Sequence, residues 1–308
     1  MQLPRVSSVV VRRLAVASVV ANAGIVVTGG IVRLTGSGLG CPTWPTCTDA
    51  SFTPTAAYAQ HGVIEFTNRM LTFVLTAVVL ATLLAVLRSD RRSLRPLAIL
   101  SFLGIPAQAV LGGITVLTGL NPWTVAAHFL LSMGILAVTT TLAGRAYRPD
   151  GPARAAVNPS LVTLVRALVG VTLAVLAIGT IVTGSGPHAG DADVPRTGFD
   201  PETVSQLHAD AVMLLLGLTV AALLWLRGAK APRGATRAAA ILLAVELAQG
   251  LIGFVQYFTG LPVVLVAVHL AGACLVWIAA LRLLLATSTV PVPAAAPTQE
   301  YVASDRSG

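Results

Sequence analysis

The chain has 308 residues, of which 55% are hydrophobic and 10% charged, and its mean hydropathy is +0.83. Soluble globular domains do not reach that balance, so the composition excludes a cytosolic enzyme and describes an integral membrane protein. The net charge of +8 would suit nucleic acid, but the basic residues occupy short loops between apolar runs, the pattern a lipid membrane imposes, and no nucleic acid partner is expected.

Runs of about 20 apolar residues predict eight spans, near 12–33, 62–87, 96–117, 122–144, 161–182, 204–226, 238–259 and 262–285. Arg5, Arg12 and Arg13 precede span 1, which lacks a small-residue cleavage site and reads as a retained anchor rather than a removed signal peptide. Arg88, Arg91, Arg92 and Arg95 fill the loop after span 2, and Arg145, Arg148 and Arg154 follow span 4. Arg227, Lys230, Arg233 and Arg237 follow span 6, and Arg282 ends span 8. The intervening loops carry Asp49, Asp191, Asp193, Asp200 and Glu202. The alternation predicts N- and C-termini that are both cytoplasmic. The tail, residues 287–308, is rich in Pro, Ala and Ser and is predicted to be disordered.

Cys274 falls in span 8 and reads as a buried small apolar residue. Cys41 and Cys47 bound "CPTWPTC" in the first outward loop, where the compartment permits oxidation. Two readings are open, a disulfide or a pair of free thiols; the short, proline-stiffened loop favours the bridge.

The two halves of the chain repeat. A constant offset of 141 residues carries Gln108 onto Gln249, Thr118-Gly119-Leu120 onto Thr259-Gly260-Leu261, and His128 onto His269. "TGSG" also recurs, at Thr35 to Gly38 and Thr183 to Gly186. Chance similarity between greasy helices would not keep polar residues in register. The expected fold is therefore all-α, with eight transmembrane helices in two pseudo-symmetric four-helix bundles, residues 1–150 and 151–286, related by an axis along the membrane normal.

Of the five histidines, His188 lies in the outward loop "GSGPHAGDAD" and reads as hydrated. His128, His208 and His269 share one depth inside even-numbered spans. A lone helical histidine is more often a hydrogen-bonded core residue, but three at a matched depth in a repeat point to ligation. His208 and His269 suit a bis-histidine heme in the second bundle; zinc competes, yet no cysteine or carboxylate cluster at that depth completes a tetrahedron. In the first bundle Asn68 occupies the slot that His208 fills in the second, so one ligand is missing. His61 lies two turns outward of Asn68 on the same face, either as an axial ligand reaching inward or at the rim of the site.

"IEFTNR" places Glu65, Asn68 and Arg69 at the head of an apolar run. Ionisable groups there are costly and read as functional by default. Glu65 shares a stripe with His61 and Asn68. The competing reading is a structural Glu65–Arg69 ion pair, against which the second half has Ser205 and Ala209 at those positions. Asp210 sits near the outer interface, and Glu246, one turn before Gln249, reads as hydrogen-bonded within its bundle.

"GGIVRLTGSGLGCPTWPTC", followed by "IEFTNR" and the histidine-bearing helix pairs, resembles the heme A synthases, and the similarity runs from span 1 to span 8. The resemblance implies a multi-pass plasma-membrane oxidoreductase that converts a ring methyl of heme O to the formyl group of heme A. It implies a b-type heme on His208 and His269, and heme O as substrate in the first bundle, with His128 as ligand and Glu65 beside the reacting methyl. Arg69 would suit a propionate, and Cys41 and Cys47 would pass electrons or orient their loop. The family has a histidine before the arginine of this motif, where this chain has Asn68. Implied partners are the farnesyltransferase that makes heme O and the assembly of cytochrome oxidase. A diheme b-type electron-transfer protein is the alternative function, and a transporter with parallel repeats a further one.

Overall fold

In the computed structural model, which describes residues 5–191 and 193–290, eight long helices follow one another: α1 (Ser8–Leu34), α2 (Ala59–Leu87), α3 (Arg95–Leu117), α4 (Pro122–Ala146), α5 (Pro159–Ser185), α6 (Pro201–Gly228), α7 (Arg233–Phe258) and α8 (Val263–Ala286). Each is long and apolar enough to cross a bilayer, and the chain is a multi-pass membrane protein. Several begin before the predicted spans because a polar cap precedes the apolar run. Asn121, Asn158 and Asp200 each accept an N–H of the first turn, ahead of a proline at the first helical position.

Two rings of four helices result. In the first, α1 packs on α2, α2 on α3, α3 on α4 and α4 back on α1; in the second, α5 to α8 close the same way. Thus α2 stands diagonally across from α4, and α6 from α8. The repeated Thr-Gly-Leu explains how matching corners are made. Helix α3 ends at Thr118, and Gly119 and Leu120 follow with φ of 61° and 55°. Helix α7 ends at Thr259, with Gly260 at 76° and Leu261 at 59°. The Leu120 N–H returns to Thr115 O and the Leu261 N–H to Gln256 O, which caps the last turn and starts the next helix antiparallel. A left-handed leucine is uncommon, and both corners keep it.

The rings meet along α1 and α4 against α8, with α4 also touching α5. Val26, Met133, Leu136, Leu176, Cys274, Trp277 and Leu281 form the buried seam. Trp277 Nε1 donates to Met133 O across it, 2.8 Å. Cys274 is thus a buried free thiol, as expected. At the arginine-rich end Arg91 pairs with Asp150, 2.9 Å apart, and Arg148 donates to Leu285 O and Ser288 O. The predicted tail begins with order, since Ser288–Thr289 pairs antiparallel with Arg154–Ala155; residues 291–308 lie outside the described residues.

Candidate functional site

The three matched histidines sit on helices that face one another diagonally. His208 is on α6 and His269 on α8, while His128 is on α4, across from Asn68 and His61 on α2. Each ring leans on a glycine of a neighbouring helix. A Cβ built at Gly112 would come 3.0 Å from His128 Cε1, one at Gly179 3.2 Å from His208 Cε1, and one at Gly253 3.4 Å from His269 Cε1. Gly112 and Gly253 are themselves related by the repeat. Gln108 Nε2 donates to His128 O (3.1 Å) and to Ser132 Oγ, and Gln249 Nε2 donates to His269 O (2.7 Å). The glutamines held in register thus brace the backbone beneath His128 and His269.

All three imidazoles have Nδ1 buried without a partner among the described residues. An unmade hydrogen bond of this kind costs about 1–3 kcal/mol, and it recurs three times at one depth. Half-buried rings, glycine cradles and unengaged nitrogens on facing helices fit a flat iron macrocycle held from two sides.

Asn68 is spoken for. It accepts from Thr28 Oγ1 at 2.7 Å, and Gly29 of α1 lies against its amide, the place that Gly179 takes beside His208. His61 makes its contact through Nδ1, 2.9 Å from Ser37 Oγ. Its other ring nitrogen has no hydrogen bond among the described residues, the arrangement by which an outer partner orients a metal-binding imidazole.

Glu65 and Arg69 are brought together with the cysteine loop. Cys41 and Cys47 form a disulfide and are both fully buried. Glu65 Oε2 accepts the Cys41 N–H at 2.7 Å, and Oε1 accepts from Arg69 Nε (3.1 Å) and Nη2 (2.5 Å). Arg69 also donates to Thr43 O, Thr46 O and Cys41 O. All five of its N–H groups are used, so the guanidinium expected at a propionate is committed to the loop. Trp44 closes the same loop onto Gly113 of α3, next to the glycine that cradles His128. His188, expected to be hydrated, is half-buried and bonds through Nε2 to Leu261 O at 2.9 Å, while Arg33 donates to His188 O and Thr183 O.

Sequence reasoning singled out the polar residues and missed Gly112, Gly179, Gly253, Thr28 and Ser37. The repeat register carried a signal for Gly112 and Gly253, and the recurring "TGSG" one for Ser37.

The chain is 33% identical over 129 residues to a protein named heme A synthase from Listeria welshimeri, a match spanning 41% of this chain and 42% of the relative. It is 36% identical over 110 residues to a heme A synthase from Bacillus mycoides, 34% of each chain. These alignments cover well under half of either relative's length. A family model covers far more, residues 12–281, so that both rings, the cysteine loop and all three cradled histidines fall inside it, and the chain belongs to the cytochrome oxidase assembly protein family COX15-CtaA.

Proposed function

We propose that this chain oxidises a ring methyl of heme O to the formyl group of heme A, in the plasma membrane, with the arginine-rich end and both termini in the cytoplasm. One observation carries the reading: imidazoles repeated at one depth, each cradled by a glycine and each with a buried Nδ1 that has no partner among the described residues, on helices that face across a ring. In the residue 151–286 bundle His208 and His269 would hold a b-type heme, and that group would supply one-electron transfer. The residue 1–150 bundle takes heme O, with His128 on one side and His61, oriented by Ser37, as the imidazole available on α2.

Glu65 is the group assigned to stabilise the reaction. Removing electrons from a methyl conjugated to the macrocycle develops positive charge on its carbon, and a fixed carboxylate in a dry site lowers that barrier. Arg69 and the Cys41 N–H fix the Glu65 carboxylate, and Oε2 keeps a lone pair beyond its bond to Cys41. Arg69 and the disulfide loop act as positioning groups above it. With water as the oxygen source, methyl plus water yields formyl, four electrons and four protons, through hydroxylated stages that end in loss of water. Upstream stands the farnesyltransferase that makes heme O; downstream, the assembly of cytochrome oxidase.

Chromatography of hemes extracted from cells with and without the gene tests this. Heme A should vanish without it and heme O accumulate. His208→Ala and His269→Ala should each abolish or convert a low-spin b-type spectrum, whereas Glu65→Gln should keep the spectrum and cut heme A formation by about 10²–10³. Unchanged heme A in the gene-less cells, with two low-spin hemes in the protein, would instead favour a diheme electron carrier.

A further inference from the structure

Thr219 of α6 and Glu246 of α7 form a buried polar pair that the site above does not use. The Thr219 hydroxyl donates to Glu246 Oε1 over 2.8 Å. Glu246 is only 5% exposed, and its Oε2 has no partner among the described residues. The repeat indicates that packing does not require this pair. The offsets that carry Asn68 onto His208 and Gln108 onto Gln249 carry Val79 onto Thr219 and Ile105 onto Glu246. Val79 and Ile105 are buried together in one apolar cluster with Leu75. At the place where the first bundle makes an inexpensive apolar contact, the second accepts the cost of an unpaired carboxyl oxygen.

Glu246 also lines a cavity of about 150 Å³ between α6 and α7. Its other walls include Met213, Leu216, Gly250 and Phe254. Met213 and Phe254 are half exposed, and neither α6 nor α7 takes part in the seam with the first bundle. The cavity therefore opens on the apolar outer face of the protein, towards lipid. The cavity is open on its lipid side, so a volume that admits one six-membered ring takes the oxygen-bearing ring of a quinone and leaves a fused second ring at the mouth. An acyl chain would leave the carboxyl group unpaired, whereas a ring bearing oxygen atoms would satisfy it.

We propose that this cleft binds the head group of an isoprenoid quinone and that Glu246 delivers a proton to one of its carbonyl oxygens. The proposal rests on the heme O reading, whose electrons and protons need an acceptor that takes both. One heme O methyl and one water would reduce two quinones to hydroquinones and leave the formyl group. In each quinone both C=O bonds become C–OH. Per quinone, Glu246 gives one proton and a water relays the other to the second oxygen, and both are replaced from those released at the methyl, so the four protons and four electrons lost there are the four of each that two quinones gain.

Heme-loaded protein in nanodiscs of phosphatidylethanolamine and phosphatidylglycerol, exposed to a photoreactive azido-naphthoquinone, tests the site directly. Mass spectrometry should place the label on α6 and α7, and excess menadione should compete it away. Gly250→Phe, which fills the cleft, should lower labelling at least tenfold. Glu246→Gln should still be labelled but should reduce menadione at least tenfold more slowly during heme O oxidation. If that variant does not fold, the double variant Thr219→Val, Glu246→Ile, which copies the first bundle's packing, takes its place with the same expectation for reduction. Label elsewhere, indifference to Gly250→Phe, displacement by oleate as effective as by menadione, or wild-type quinone reduction without the carboxylate would overturn the proposal. Ferricyanide separates the two readings. Heme A made with ferricyanide but not with menadione defeats the quinone alone; none with either defeats the heme O reading, while the labelling still decides the cleft.

Discussion

At Gly253 the side chain of residue 269 has as much say as the backbone. A Cβ there would touch the His269 ring at 3.4 Å, and the two methyls of valine reach further, so Gly253→Val should turn the imidazole out of its cradle. Disturbing what orients a metal ligand typically costs 10–100-fold in affinity, so with His269 in its proposed role heme content after purification should fall accordingly. Gly217→Val on α6, where a Cβ meets nothing within 4 Å, should leave heme content unchanged; equal loss in both variants would refute the cradle. The histidines were legible in the sequence because a polar ring at a repeated position in an apolar run stands out. Their glycines were not, since the chain has 28 glycines and an absent side chain announces nothing until its neighbour is known. Glu65 and Arg69 were legible as a pair, but their further partners are backbone atoms of the cysteine loop, and no side-chain pattern encodes those.

The cysteine loop is the element whose position depends most on one residue. Arg69 gives three loop carbonyls a donor while holding Glu65, which a planar five-donor fork can do and a lysine ammonium with three donors cannot. Arg69→Lys should lose about two hydrogen bonds, each contributing roughly 0.5–1.5 kcal/mol. Amide exchange across residues 41–47 should then quicken by about tenfold, with the disulfide intact and the spectrum of the heme proposed for the second bundle unaltered. Exchange at the wild-type rate would mean that the disulfide and Trp44 suffice to hold the loop. The helices themselves were the most legible elements, and their starts the least. Hydropathy registers the apolar run from about residue 204, whereas Asp200 and Pro201 begin α6 in polar sequence. Likewise Ser288–Thr289 looked like the head of a featureless tail, because a two-residue strand owes its order to Arg154–Ala155 more than a hundred positions away.

Across the whole molecule, the repeat foretold two rings but not how they join, because the register pairs like positions, Met133 with Cys274 and Leu136 with Trp277, without saying which positions of the two halves touch. Trp277 reaching Met133 O and Cys274 within the same cluster are contacts between halves, which internal symmetry cannot display. On α1 two neighbouring residues face different ways, Gly29 lying beside Asn68 of its own ring and Gly30 lying directly under Leu270 of α8, the residue after His269. Two consecutive glycines therefore touch Asn68 of one ring and the His269-bearing helix of the other. A Cβ at Gly30 would overlap the Leu270 side chain, so Gly30→Val should push α8 away from α1, an overpacking that typically costs about 1–3 kcal/mol. Because Leu270 adjoins His269, the substitution should also shift the low-spin spectrum assigned to the second ring, although the changed residue belongs to the first. Gly24→Val, lower on the same helix with open space around its Cβ, should change neither the melting temperature by more than about a degree nor the spectrum. A Gly30→Val protein that loses stability but keeps the wild-type spectrum would show that the seam joins the rings mechanically without linking their ligand sites.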